Sequence, residues 1–423
     1  MNQRLFDYIA ASPTAYHAVS HTSTILRNAG YTELSEGAAW NLEKGKGYFV
    51  TRNGSSLIAF RIPNGDFNGF MMAAAHADSP CFKVKENGTL ADPHYVRLAT
   101  EKYGGMLCAP WMDRPLSIAG RITVRTENGI AVKNVDLSRP VAIIPNVAIH
   151  MNRAANEGMK YNPAVDMLPL VSTEKDTDLM NAVAEAANVK KEEIITTDLF
   201  VYAPDQGVTM GDLICAPRLD DLQCAFAALT AFTDAKETNS LPVYGLFDNE
   251  EVGSQTKQGA ASTFLYDVLT RIVPDAESYR RKLASSFLVS CDNAHAVHPN
   301  HPEFSDKNHS VYMNGGIVIK YNANQKYTTD AVSSALFRLI CEKAGVPVQS
   351  YANRADMPGG STLGNIANTQ VSLNTVDIGL AQLAMHSAFE TAGARDTAYM
   401  VQALTRFYES SLTMERDGSY NLK

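Results

Sequence analysis

With 423 residues, 45% hydrophobic and 19% charged, the chain is long enough for two domains with sizeable cores and lacks the composition of a disordered protein. A formal net charge of -8 without any Lys/Arg run excludes the basic footprint of a nucleic-acid binder, and no stretch reaches the roughly 18 apolar residues of a membrane span. The six cysteines are scattered with no CxxC pair and read as reduced thiols, and Met1–Ala11 lacks the layout of a signal peptide, so a cytoplasmic protein is expected.

The chain opens with two predicted helices. Leu5, Phe6 and Ile9 form an apolar stripe on the first, and Ser12-Pro13 reads as cap and first position of the second, which carries Tyr16, Val19, Ile25 and Leu26 and stops at Gly30. Ser56–Ile62 and Gly69–Ala75 read as strands, the latter a near-continuous apolar run of the buried kind. Arg121–Asp136 alternates about Asn128-Gly129 as a hairpin, and a helix is predicted over Asp176–Ala187. From Cys224 onward helices and strands alternate: helix Cys224–Ala235, strands Leu241–Phe247, Phe287–Ser290 and Ile317–Tyr321, helix Thr329–Ala344, strand Val371–Ile378 and a last helix over His386–Ser411, with a loose polar tail after Leu412. The expected fold class is α/β, a mostly parallel sheet flanked by helices in segments 1–90 and 208–423, with a β-rich domain inserted over 91–207.

In such sheets the ligand site lies beyond the carboxyl ends of the strands. After Gly69–Ala75 comes His76-Ala77-Asp78, whose His and Asp share a face when extended; after Leu241–Phe247 comes Asp248-Asn249-Glu250-Glu251. Asp292 follows Phe287–Ser290, His386 follows Val371–Ile378, and Asp220-Asp221 precedes the helix containing Cys224. Singly, each has an ordinary reading as a cap, a solvated acidic pair or a structural histidine. As a set they converge at one edge, and carboxylates shared between two cations make a two-metal hydrolytic centre in which one of Glu250 and Glu251 binds metal and the other acts as base.

The motifs AHADSP (75–80), APRLDDLQCAFAAL (216–229), FDNEEVGSQTKQGA (247–260), SCDNAHAVHPN (290–300), IKYNANQKY (319–327), RADMPGGSTLG (354–364) and QLAMHSAFE (382–390) carry a further signal in their order and spacing. Through them the chain resembles the aspartyl aminopeptidases, metallopeptidase family eighteen, over essentially its whole length. The resemblance implies a dizinc exopeptidase-like catalytic domain with two divalent metal ions per subunit, zinc with cobalt or manganese as alternatives. Asp220 would bridge them, His76 and Asp292 would complete one site, and Glu251 and His386 the other. Glu250 would be the general base on a bridging water, and Asp78 would orient the first site. His295 is expected to stabilise the developing oxyanion.

The same resemblance implies removal of an N-terminal Asp or Glu from peptides, with Lys320 as the cation for the substrate carboxylate and the loop containing Gly359 lining the cleft. Neutral or apolar first residues are the alternative. The insert would be a dimerisation domain, the assembly a homo-oligomer of twelve subunits, and His150 would reach a neighbouring subunit's active site. Two competing classes are a carboxypeptidase or amidohydrolase on the same centre, and a non-catalytic assembly protein. WMDR (111–114) and AGRI (119–122) in the insert favour the aminopeptidase pattern over the former, and the intact ligand set argues against the latter.

Overall fold

The computed structural model describes residues Met1–Lys423. The apolar runs in the sequence require a sheet covered on both faces. Nine strands build it: β1 (Thr32–Leu34), β2 (Gly47–Arg52), β3 (Ser56–Arg61), β4 (Phe70–His76), β5 (Leu241–Phe247), β6 (Phe287–Cys291), β7 (Ile317–Tyr321), β8 (Val348–Ala352) and β9 (Asn374–Gly379). Their spatial order is β1-β2-β3-β5-β4-β6-β9-β7-β8. The central strands β5, β4, β6 and β9 run parallel, so their carboxyl ends face one edge. Flanking strands β3 and β7 are antiparallel to their central neighbours, which makes the sheet mixed.

Alternation along these strands divides their side chains between two cores. Met71, Ala73, Ala75, Tyr244 and Leu246 enter one core, with side chains of the helices Asn2–Ala10, Ala15–Asn28, Leu219–Asp234, Ala331–Ala344 and Asp396–Tyr408. Phe70, Met72, Ala74, Leu241, Val243 and Phe247 enter the other, beneath Phe264–Ile272 and Ala276–Ala284. Phe232 anchors the first core, with ring centroids 5.4 Å from Tyr31, 5.6 Å from Tyr408 and 6.1 Å from Tyr244.

A second, six-stranded antiparallel sheet pairs Gly129–Asp136, Ser117–Thr126, Ile194–Tyr202, Cys81–Ala91, Val96–Tyr103 and Leu170–Ser172 in that order. It has its own core around Phe82, Trp111 and Ile118. This sheet begins at Cys81 rather than 91, because Cys81–Ala91 pairs with Val96–Tyr103 and not with the central strands. A small third sheet joins Val208–Met210, Leu213–Ala216, Glu390–Gly393, Ala381–Leu383 and Ala294–His295.

Several local expectations shift. Thr14, not Ser12, occupies the cap position of the second helix, so Pro13 precedes the helix. In the hairpin Gly129 pairs with Thr126, which moves the turn to Glu127-Asn128. The last helix is only Asp396–Tyr408, since Glu390–Gly393 is drawn into the third sheet against Leu213–Ala216. The tail is ordered as a hairpin, Leu412–Arg416 against Ser419–Leu422. Replacing Phe232 with Ala empties the aromatic cluster and should lower unfolding free energy by roughly 3–5 kcal/mol, read from the urea midpoint; an unchanged midpoint would mean that the cluster contributes no packing energy.

Candidate metal centre

Each ligand candidate is delivered by a strand end or the loop after it. His76 is the last residue of β4 and is 1% exposed. Glu250 and Glu251 follow β5 through Asn249, which takes left-handed angles at φ 62. Asp292 follows Cys291 at the end of β6. Asp220 and Asp221 have non-helical angles and a cis peptide between them, so the regular helix begins after them. His386 comes from the loop after Ala381–Leu383 at φ 67, not from the start of a helix.

These residues meet in two groups that share one carboxylate. In the first, His76 Nε2 lies 3.5 Å from Asp220 Oδ1 and 3.8 Å from Asp292 Oδ1. In the second, His386 Nε2 lies 3.4 Å from Asp220 Oδ2 and 3.4 Å from Glu251 Oε2. Within each group one potential ligand atom per residue falls within 4.8 Å of the others. His76, Glu250 and Glu251 satisfy the same criterion, which places Glu250 beside both groups.

The electrostatics are those of a site with too few cations. Burial raises the Asp220 carboxyl, but His386 and His76 overcome this and hold it below its ordinary range. Burial, reinforced by Asp292 and Asp78, pushes Glu250 up to about 8, and burial with Asp220 pushes Glu251 well up. Asp220 Oδ1 and Glu251 Oε1 are buried with no hydrogen-bond partner, although such acceptors are normally paired. Orphaned oxygens in a set of imidazoles and carboxylates fit divalent cations of the zinc type.

The surroundings fix this set in place. The Asp78 main-chain carbonyl lies 3.1 Å from His76 Nδ1 and its carboxylate 3.4 Å from the same nitrogen; the carboxylate accepts from the main-chain N–H groups of Glu250 and Glu251, each at 3.1 Å, and from the Tyr103 hydroxyl at 2.7 Å. Glu390, to which sequence reasoning assigned no role, accepts from the N–H of Asp220 at 3.0 Å and of His386 at 2.8 Å, and so joins the two groups through their backbones. Its signal was an acidic residue four positions after a ligand histidine, but only burial distinguishes it from a surface glutamate.

The remaining sequence candidates are placed differently. Lys320 is buried and donates to Asp292 O at 2.9 Å, Asp292 Oδ2 at 3.2 Å and Asn293 O at 3.3 Å. All its protons are therefore committed to the chain, and it holds Asp292 instead of standing free for a substrate carboxylate. His295 is exposed, with its ring 6.2 Å from Tyr351, and belongs to neither ligand group. A side chain at Gly359 would collide with the Asn353 carboxamide, so its close approach is to the chain's own loop. His150 lies on an exposed turn of the inserted part, apart from both ligand groups.

Fold and site together define a metal-dependent hydrolase built on an α/β sheet with an antiparallel insert. Residues 8–408 match the family described as aminopeptidase I zinc metalloprotease (M18). The chain is 44% identical to a protein of Clostridium novyi (strain NT) named probable M18 family aminopeptidase 2, over 96% of this chain and 97% of that one. Among solved structures, a chain of the cryo-EM structure of the Ape4 and Nbr1 complex is 34% identical with a TM-score of 0.93, over 96% of this chain and 85% of that one. The S. cerevisiae mApe1 dodecamer is 29% identical with a TM-score of 0.84, over 96% of both chains. The chain belongs to the M18 family and is a metalloaminopeptidase, a hydrolase of peptide bonds.

Removing the Lys320 charge would leave Asp292 and two carbonyls buried without their partner. Lys320→Met should therefore cost roughly 3–5 kcal/mol of unfolding free energy in urea titration. A loss below about 1 kcal/mol, the range of exposed pairs, would show that the ammonium is not a buried structural cation.

Proposed function

We propose that the chain cleaves the first residue from peptides with a free N-terminus, using two divalent cations held by His76, Asp292, Asp220, Glu251 and His386, with Asp220 shared. The observation that carries this reading is the pair of ligand groups joined through one carboxylate, with Glu250 beside both. Zinc on such donors supplies Lewis-acid polarisation of a carbonyl and lowers the pKa of water. Cobalt and manganese suit the same donors.

Within that frame the protein's own groups divide the work. Glu250 has no side-chain hydrogen bond that would occupy its carboxylate, so it takes a proton from the attacking water and returns one to the leaving amine. Asp78 fixes the His76 ring and the Glu250-Glu251 backbone. His295, exposed and three residues after Asp292 in the chain, donates toward the developing oxyanion. The loop around Gly359 forms part of the cleft wall.

For the first residue we propose Asp or Glu, with Lys320 acting as a buried positive charge behind Asp292 and not as a hydrogen-bond donor to the substrate. Its full set of partners favours a second reading, in which neutral or apolar first residues are preferred. We further propose a homo-oligomer, twelve subunits as in S. cerevisiae mApe1, with the inserted sheet as dimerisation domain and His150 reaching a neighbour's cleft. Val147, Ile149 and Met151 are exposed apolar side chains beside His150 in the chain, which supports a covered surface there. The free state of all six cysteines supports a cytoplasmic setting.

Two measurements test the reaction. Glu250→Gln should retain its metal content and KM while kcat falls by about 10²–10⁴-fold, the range for loss of a general base; undiminished turnover removes Glu250 from that role. Peptides starting with Asp, Glu, Leu or Lys, each free or N-acetylated, should be cut only when free. Asp and Glu leading the series would assign Lys320 to the substrate pocket. Leu leading would leave it as the support of Asp292, and cleavage of blocked peptides would refute the aminopeptidase reading.

A further inference from the structure

The metal centre draws on the second sheet as well as the first. The segment following the strand Val96–Tyr103 crosses from the inserted part of the chain to the ligand residues. Tyr103 donates to Asp78 Oδ2 at 2.7 Å and accepts from the Asn249 amide at 2.8 Å, so both partners of its hydroxyl belong to the site. Gly104 takes φ 77, and a Cβ there would stand 3.1 Å from Glu251 Cβ. Gly105 O lies 2.7 Å from His386 Nδ1. A carbonyl can only accept, so Nδ1 carries a proton, and Nε2 is the nitrogen presented to Asp220 and Glu251. Leu107 N–H donates to the His386 carbonyl at 3.0 Å, which pins the other side of the same residue.

We infer that Tyr103–Leu107 is a positioning strap through which the inserted sheet sets the ligand geometry in its own subunit, with Tyr103 as its positioning residue. The inference rests on the two-cation reading above and gives the insert a role inside the subunit, beyond assembly. Its route is short. Tyr103 fixes the Asp78 carboxylate; that carboxylate holds the N–H groups of Glu250 and Glu251, while the Asp78 main-chain carbonyl, 3.1 Å from Nδ1, holds the His76 ring; Gly105 O keeps a proton on His386 Nδ1. Each ligand group thus receives support from the strap, and at Gly104, held at φ 77, an added Cβ would press on Glu251 Cβ at 3.1 Å.

Tyr103→Phe removes one hydroxyl and keeps the ring, which packs edge-on against Phe200 at 5.6 Å. Metal-free protein, prepared by chelation, would be titrated with zinc against a competing indicator, and its melting temperature recorded with and without zinc. Tyr103→Phe should bind zinc roughly 10–100-fold more weakly, as expected for loss of a group that orients ligands. Its kcat at limiting zinc should fall, with KM within about twofold of wild type. The metal-free melting temperature should stay that of wild type, and Gly104→Ala should shift zinc affinity in the same direction. Tyr95→Phe, an exposed position just before the same strand, is the control and should match wild type throughout. Wild-type zinc affinity in Tyr103→Phe overturns the strap, as does a fall in the metal-free melting temperature that accounts for the whole loss. If wild type itself takes up no zinc, the underlying two-cation reading fails and takes the strap with it.

Discussion

Burying several carboxylates in one place is the constraint on which this structure turns. Asp78, Asp220, Glu250, Glu251, Asp292 and Glu390 crowd one edge of the central sheet, and in a low-dielectric interior they cannot all stay ionised without compensation. The chain supplies part of it. Two imidazoles bracket Asp220, an ammonium holds Asp292, and main-chain N–H groups satisfy Asp78 and Glu390. Asp220 Oδ1 and Glu251 Oε1 are among the buried oxygens left without a hydrogen-bond partner, and both belong to the ligand groups, where a cation is called for.

The sheet makes such crowding possible. Four parallel strands end on one edge, so the end of β4 and the short loops after β5 and β6 deliver His76, Glu250, Glu251 and Asp292 to one volume with little flexible chain between anchor and ligand. Both faces of the sheet are packed, which prevents its strands from shifting as the charges are assembled. The inserted sheet meets this edge through Tyr103 and Gly105, so the two parts of the chain share one electrostatic problem.

Much of this was legible beforehand because it has a local cause. Apolar runs such as Phe70–Ala75 and Leu241–Phe247 can bury both faces only as central strands, and His76, Asp292 and the Glu250-Glu251 pair follow such strands directly. Less legible were features set by long-range pairing. The segment Glu390–Gly393 reads as part of a helix until Leu213–Ala216 captures it as a strand, and this places His386 in a loop. Cys81–Ala91 belongs to the second sheet because its partners lie near residues 100 and 200.

The sequence by itself determined the α/β class, the strands that carry the centre and the identity of the ligand candidates, since periodicity and residue chemistry are properties of short segments. Only the tertiary structure decided which polar groups are spent on one another. Lys320 reads as a free cation at a strand end, yet its neighbours across the sheet are Asp292 and Asn293, and they take all its protons. Glu390 is marked only by its place four residues after His386 and Tyr103 not at all, because Asp220 and Asp78, the partners that give them their roles, lie far away along the chain. A hydrogen bond depends on distance and direction in space, and neither exists until the sheets have closed on each other.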